Sequence, residues 1–301
     1  MPLADSILSG DMRAVARAAT LMEAQTAAGR ELSKSIFSAT GRALTVGITG
    51  APGAGKSTLV NSLISAYRAA NKTVGVIAVD PSSPYSQGAL LGDRVRMLEH
   101  HADPGVFIRS MATRGRLGGL AATTMDLVLL LDASGRQVIL IETVGVGQDE
   151  IDIAHLAGVT VVVLAPGAGD DIQALKAGIL EVADIIVINK SDLPAAQRLH
   201  DEILEAQNLL PGNHTPVCKV SSVSNQGIAE LMEHIKNRSH SANAEIWAHR
   251  LRIKLRDDLL SDLPADLLAS HAQSVLEKIE DPDSAIMALK AELLKQRTHG
   301  H

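Results

Sequence analysis

Aromatic side chains are almost absent from this chain of 301 residues: one Trp, two Tyr and two Phe make up 2% of it. A core must therefore be assembled from Ala, Val, Leu and Ile, and a hydrophobic fraction of 46% supplies enough of them. The same scarcity argues against single-stranded nucleic-acid binding, which uses aromatic stacking platforms. Long basic runs are missing too, and the formal net charge is -6. Both points disfavour nucleic acid or an anionic membrane as partner. Cys218 is the only cysteine, so no internal disulfide can form, which suits a reducing compartment. Its setting in PVCKV reads as a small core residue rather than a nucleophile. No apolar run approaches the ~20 residues of a membrane span, and no basic-then-apolar leader opens the chain. The expectation is a soluble, cytoplasmic protein.

What the chain does have is GITGAPGAGKST, which fits Gly-x-x-x-x-Gly-Lys-Ser directly after the apolar run Leu44–Thr49. Gly50, Ala51, Pro52, Gly53, Ala54 and Gly55 form the loop, and its glycines let successive backbone N–H groups turn inward around phosphate oxygens. A helix beginning near Lys56 adds its positive end. Lys56 can reach the outer phosphates, the Ser57 hydroxyl can ligate magnesium, and Thr58 completes the motif. A nucleoside triphosphate is implied; its base is not.

Strand and helix patterns then alternate. Apolar runs suited to buried parallel strands fall at 44–49, 73–79, 106–109, 138–141, 160–165, 184–188 and 216–220. Helical patterns fall at 57–70, 120–133, 171–182, 195–209 and 227–236. This is the pattern of an α/β P-loop NTPase with a doubly wound, mainly parallel sheet and helical extensions at both ends. Three segments are expected: an N-terminal helical arm over 1–40, with Asp11 or Ser9 as a cap; a nucleotide-binding domain over 41–240; and a helical extension over 241–301. Within the last, 242–259 and 271–296 read as helices separated by LPADLL and DPDS, a packed tail or a dimerisation element.

The base is read from Asn189-Lys190-Ser191-Asp192, which follows the strand IIVIN. The Asp192 carboxylate can accept from both N1–H and the exocyclic amino group of guanine, whereas adenine would leave it unpaired. Asn189 can bridge the base and the phosphate loop, and the Lys190 stem can lie on the base face. Ser221, Ser222 and Val223 follow the final strand, where backbone N–H groups would suit guanine O6.

Candidate magnesium ligands besides Ser57 are Asp80 at a strand end, Asp93 in LLGDRVRM, and Glu142 at the end of VILIE. Glu142-Thr143-Val144-Gly145 looks like a G-protein switch with Glu in the Asp place, and the Gly145 N–H would sense the γ-phosphate. Val146 stands where other G proteins carry a water-orienting Gln, so Gln148 and Asp149 are the nearby alternatives and slow intrinsic turnover is expected. Arg109, Arg114 and Arg116 in FIRSMATRGRLGG read as charge stabilisers, partner contacts or a solvated basic loop.

These segments together with VDPSSPYSQGALLGDRVRM, ETVGVGQDE, GAGDDIQALKAGILEVADIIVINKSDL and SSVSNQGI resemble the MeaB/ArgK-type G proteins of the SIMIBI class, from near residue 8 to about residue 250. The resemblance implies a homodimeric GTPase that takes GTP, GDP and magnesium. It would attend an adenosylcobalamin-dependent acyl-CoA mutase, usually methylmalonyl-CoA mutase, gating cofactor loading and protecting the enzyme. Adenosylcobalamin would be met only through that partner. The resemblance also makes the region of Gly167, Gly169 and Lys176 a third switch, with Lys176 as a catalytic or coupling residue. Two other readings stay open: a nickel metallochaperone, for which His100-His101, His299 and His301 are the available histidine clusters, and a small-molecule kinase.

Overall fold

Near-continuous Val, Ile and Leu runs become strands buried on both faces, and the helices between them supply the cover. The computed structural model describes residues 2–80, 98–100, 102–112, 120–143, 156–167, 183–208, 215–238, 244–261 and 263–298. In chain order the elements open with α1 (Leu3–Leu8), α2 (Met12–Glu23) and α3 (Ala27–Ile36). Asp11 caps α2 by accepting from the Ala14 N–H at 2.7 Å, and Thr26 caps α3 by accepting from Gly29 N–H at 3.0 Å. There follow β1 (Leu44–Thr49), α4 (Lys56–Ala69), β2 (Val74–Asp80), β3 (Val106–Ala112), α5 (Leu120–Ala133), β4 (Val138–Thr143), β5 (Val159–Leu164) and β6 (Ile185–Ile188). Then come α6 (Ala195–Asn208), β7 (Val217–Lys219), α7 (Ile228–Arg238), α8 (Ala244–Ser261), α9 (Ala265–Leu276) and α10 (Pro282–Thr298). The helical pattern at 171–182 lies outside the described residues.

The seven strands form one sheet in the order β3-β2-β4-β1-β5-β6-β7, and every pairing is parallel. Strand β1 sits between β4 and β5, so the chain order reverses beside it, and the loop leaving β1 opens into the crevice where α/β sheets bind ligands. Alternate residues separate the two faces. Ile139 and Ile141 of β4 pack with α5 and with Val15, Ala18 and Met22 of α2. Val138 and Leu140 pack on the other face with Leu59, Leu63 and Ile64 of α4 and Leu231 of α7. Helix α6 covers Val162, Leu164, Ile186 and Ile188 through Ala196, Leu199 and Ile203.

Polar contacts, beside the shared core, tie the N-terminal helices and the segment that follows them to the rest of the fold. Buried Asp132, near the end of α5, accepts from the backbone N–H groups of Gly41, Arg42 and Ala43, at 2.5 Å, 3.2 Å and 3.0 Å for the nearest oxygen. Arg109 lies in β3, as the strand run at 106–109 expects, and does not serve as a basic-loop charge: its guanidinium donates to both Glu23 carboxylate oxygens of α2 at 2.6 Å and 2.5 Å. That pairing holds its proton more tightly than usual and keeps its charge engaged within the fold. Arg114 and Arg116 lie outside the described residues.

The C-terminal helices also depart from expectation. The stretch 271–296 is two helices, α9 and α10, and α9 begins at Ala265, inside the supposed LPADLL break. Pro264 takes the N-cap place of α9, where a missing N–H costs nothing, while Pro282 opens α10. Helix α8 docks on α5 through buried Ile253 and a 2.7 Å ion pair from Lys254 to buried Asp126. Its Trp247 meets Phe37 edge to face at 5.6 Å.

Two outcomes follow. Asp132→Ala, which strips three backbone donors of a charged acceptor, should lower unfolding stability by about 2–3 kcal/mol, seen as a lower urea midpoint at unchanged slope. Burial, with a smaller push from Glu230, raises the Cys218 thiol to about 12. The native protein should therefore resist iodoacetamide at pH 8 and be alkylated only after unfolding.

Candidate functional site: a phosphate loop joined to a base-reading loop

Two glycines of the loop after β1 are dictated by what lies against them. Gly50 has φ +139, and a Cβ there would fall 2.1 Å from the Val163 carbonyl oxygen of β5. Gly55 has φ +91, and a Cβ there would fall 2.3 Å from the Asn189 amide nitrogen. The first lets the loop leave the sheet between β4 and β5; the second lets Asn189 reach the loop backbone. Helix α4 begins immediately after, at Lys56, so its N-terminal N–H groups face the loop.

Lys56 is buried, and its ammonium donates to the Gly50 carbonyl at 2.6 Å and the Ala51 carbonyl at 3.1 Å. The amine thus lies over the cradle, on acceptors that the loop itself provides. Ala51, Pro52 and Ala54 complete the turn between the glycines, and Thr58 sits in the first turn of α4. Ser57 donates to a Glu142 carboxylate oxygen at 2.5 Å, 85 residues away in sequence. Register explains the meeting: Glu142 pairs with Ile48, two residues before the loop begins. The buried Glu142 carboxylate beside the Ser57 hydroxyl is a set of hard oxygen donors, which could hold a magnesium ion. Asp80 ends β2, next to β4 in the sheet, but its carboxylate lies outside the described part, as does all of Asp93. Gly145, Gln148 and Lys176 also lie outside the described residues.

The elements expected to read the base converge on the same loop. Asn189, at the end of β6, uses both ends of its buried amide. Its NH2 donates to Ala54 O at 2.9 Å and Gly55 O at 3.3 Å. Its oxygen accepts from the Ser222 hydroxyl at 2.8 Å and the Ser222 N–H at 3.3 Å. Asn189 therefore bridges the phosphate loop to the 221–223 loop. Lys190 adopts φ +56, uncommon for a side-chain-bearing residue, and from there its amine reaches Gly53 O at 2.9 Å. Exposed Asp192 accepts from the Ser221 hydroxyl at 2.8 Å.

Of the three N–H groups expected to face guanine O6, two are already used. Ser221 N–H donates to Gln226 O at 3.1 Å, and Ser222 N–H goes to Asn189. The Val223 N–H remains, on a residue that is 89% exposed. Ser62 was not legible as a site residue. It is buried in α4, and its hydroxyl donates to the Ser222 carbonyl at 2.7 Å. Among the described residues there is no helix long and apolar enough to cross a membrane, and no group of three or more His, Cys, Asp or Glu that could hold a metal.

The site has the parts of a guanine-nucleotide hydrolase, and comparison with known proteins agrees. The family model for methylmalonyl-CoA mutase-associated GTPase MeaB matches residues 15–275. A Pyrococcus abyssi protein with the provisional name GTPase is 44% identical over 284 residues, spanning 92% of this chain and 88% of its own. The mouse protein named methylmalonic aciduria type A homolog, mitochondrial, is 36% identical over 267 residues, covering 81% of this chain and 64% of that protein. Among solved structures, a LAO/AO transport system kinase aligns with a TM-score of 0.70 and 26% identity, over 97% of this chain and 96% of the other. The chain belongs to the MeaB family of methylmalonyl-CoA mutase-associated GTPases and hydrolyses GTP.

Proposed function

We propose that this GTPase attends an adenosylcobalamin-dependent acyl-CoA mutase, with methylmalonyl-CoA mutase the first candidate, gating its cofactor loading and protecting it from inactivation. The match to a mutase-associated family along residues 15–275 carries this reading. The name of the mouse relative supports it. Adenosylcobalamin would stay on the mutase, and the cytoplasm is the proposed site of action. A second copy of this chain is the proposed occupant of the C-terminal helices, where Leu268, Leu276, Ile279, Ile286 and Met287 are exposed.

In the proposed cycle, Asp192 receives N1–H and the amino group of guanine while Ser221 holds its carboxylate in place. The backbone N–H groups of residues 50–58, Pro52 apart, wrap the phosphates, and the Lys56 amine exchanges the Gly50 and Ala51 carbonyls for β and γ oxygens. Glu142 and Ser57, joined by Asp80 and Asp93, would hold magnesium, which when bound offsets phosphate charge. Gly145 is assigned to sensing the γ-phosphate, Gln148 to the attacking water, and Lys176 to coupling with the partner. These three assignments rest on sequence.

Asp192→Asn reverses one hydrogen-bonding direction at the base. It should weaken GDP by about 10²-fold or more while raising affinity for xanthosine diphosphate, measured by calorimetry. An Asp192→Asn protein that still prefers GDP contradicts the assignment of this carboxylate. For the partner, immobilised protein should retain purified methylmalonyl-CoA mutase differently with GDP and with a non-hydrolysable GTP analogue. Single-turnover hydrolysis should be slow alone and faster with mutase; equal rates and no retention would refute the partner.

A further inference from the structure

The Ser62 hydroxyl is an anomaly in α4. It lies on a helix face that also buries Leu59, Val60, Leu63 and Ile64, where Ala would form the better helix and carry no polar group to satisfy. A mid-helix Ser ordinarily donates back to the carbonyl four residues earlier. Here that acceptor, Thr58 O, lies at 3.2 Å, while the Ser222 carbonyl, 160 residues away in sequence, lies at 2.7 Å. The short contact is the long-range one.

That carbonyl belongs to the peptide unit joining Ser222 to Val223. A trans peptide is planar, with its C=O and N–H pointing in opposite directions. The structure contains no cis peptide among the described residues. Anchoring the Ser222 oxygen inward on α4 therefore turns the Val223 N–H outward, on the residue that is 89% exposed. Asn189 grips the preceding peptide through the Ser222 N–H, so adjacent peptide planes are held by two independent elements. With Ser221 and Ser222 N–H groups already engaged, the outward one is the donor left for a base carbonyl.

We infer that Ser62 is a positioning residue for guanine recognition, acting through the Ser222–Val223 peptide plane to aim the Val223 N–H at the 6-oxo group. The inference rests on the guanine reading of this site and adds a determinant that touches neither base nor phosphate. Its signature is specific to one atom of the base. In 6-thio-GDP a weakly accepting sulfur replaces O6, while N1–H, the amino group and both phosphates are kept.

The test is calorimetric binding of GDP, 6-thio-GDP and IDP to the full chain with magnesium. Wild type should favour GDP over 6-thio-GDP. Ser62→Ala should weaken GDP about five- to tenfold, leave 6-thio-GDP nearly unchanged, and keep the GDP-to-IDP ratio, which reports the amino group at Asp192. Ser62→Thr, which retains the hydroxyl, should keep the wild-type preference. Equal losses for GDP and 6-thio-GDP, no loss for either, or a wild type blind to the sulfur would each overturn the inference. A wild type that takes ADP in preference to GDP would instead overturn the guanine reading, and this inference with it.

Discussion

The whole nucleotide site depends on one buried carboxamide. Asn189 donates on one side to the carbonyls of Ala54 and Gly55 and accepts on the other from two atoms of Ser222. A phosphate loop and a base loop that leave different strands thereby become one rigid unit. Few side chains could serve: Asp lacks the donors, and Gln would need an extra methylene of space in a position that is 2% exposed. Gly55 is the counterpart constraint, since any Cβ there would clash with the Asn189 nitrogen at 2.3 Å. The contacts of Asn189 with Ala54 and Ser222 are buried, so each of those members is costly to remove.

Around that unit the fold works as a frame. Strand β1 delivers the loop, β4 delivers Glu142 to Ser57 by register, and β6 delivers Asn189. The N-terminal helices contribute to the core over β2, β3 and β4 and are pinned by the Arg109–Glu23 pair, while Asp132 of α5 holds the 41–43 segment that leads into β1. On the far side of α5, α8 adds a buried Arg250, whose guanidinium donates to the Leu156 carbonyl at 2.5 Å and lies 5.1 Å from the Trp247 ring centroid. Burial lowers the proton affinity of that guanidinium, and the carbonyl and the ring face offset part of the lost hydration. With Phe37 packed against Trp247, the segment after α3 meets α8 beside α5.

The strands were readable because a sheet covered on two faces needs unbroken apolar runs, and runs this short and this rich in Val and Ile suit little else. Strand β1 matches its expected limits, and the others shift by one to three residues at their ends, where pairing stops for reasons outside the strand itself. The backbone course of the loop after β1 and of the 189–192 segment was readable because their geometry is local. Long-range pairing was not. Arg109 looked like part of a basic loop because nothing nearby in sequence announces Glu23, 86 residues earlier. Asp132 resembled any helix-end acid, and Ser62 resembled any small helix residue; only the folded chain brings them to the backbone groups they hold. The C-terminal helices misled for a local reason: Pro264 reads as a breaker, yet at a helix start it is a favourable N-terminal neighbour.

Helix α4 also serves as a ruler. Ser57 at its first turn meets the metal-side acid, and Ser62 meets the base loop. Five residues of α-helix separate them, an advance of ~7.5 Å along the axis. On the proposed binding mode, the span between the charged tail of the nucleotide and its ring would be gauged by helical pitch. Insertion or deletion of one residue in that interval would swing one hydroxyl ~100° out of line. The number of residues between the two contacts is thus as constrained as the identities of buried Leu59 and Val60 between them.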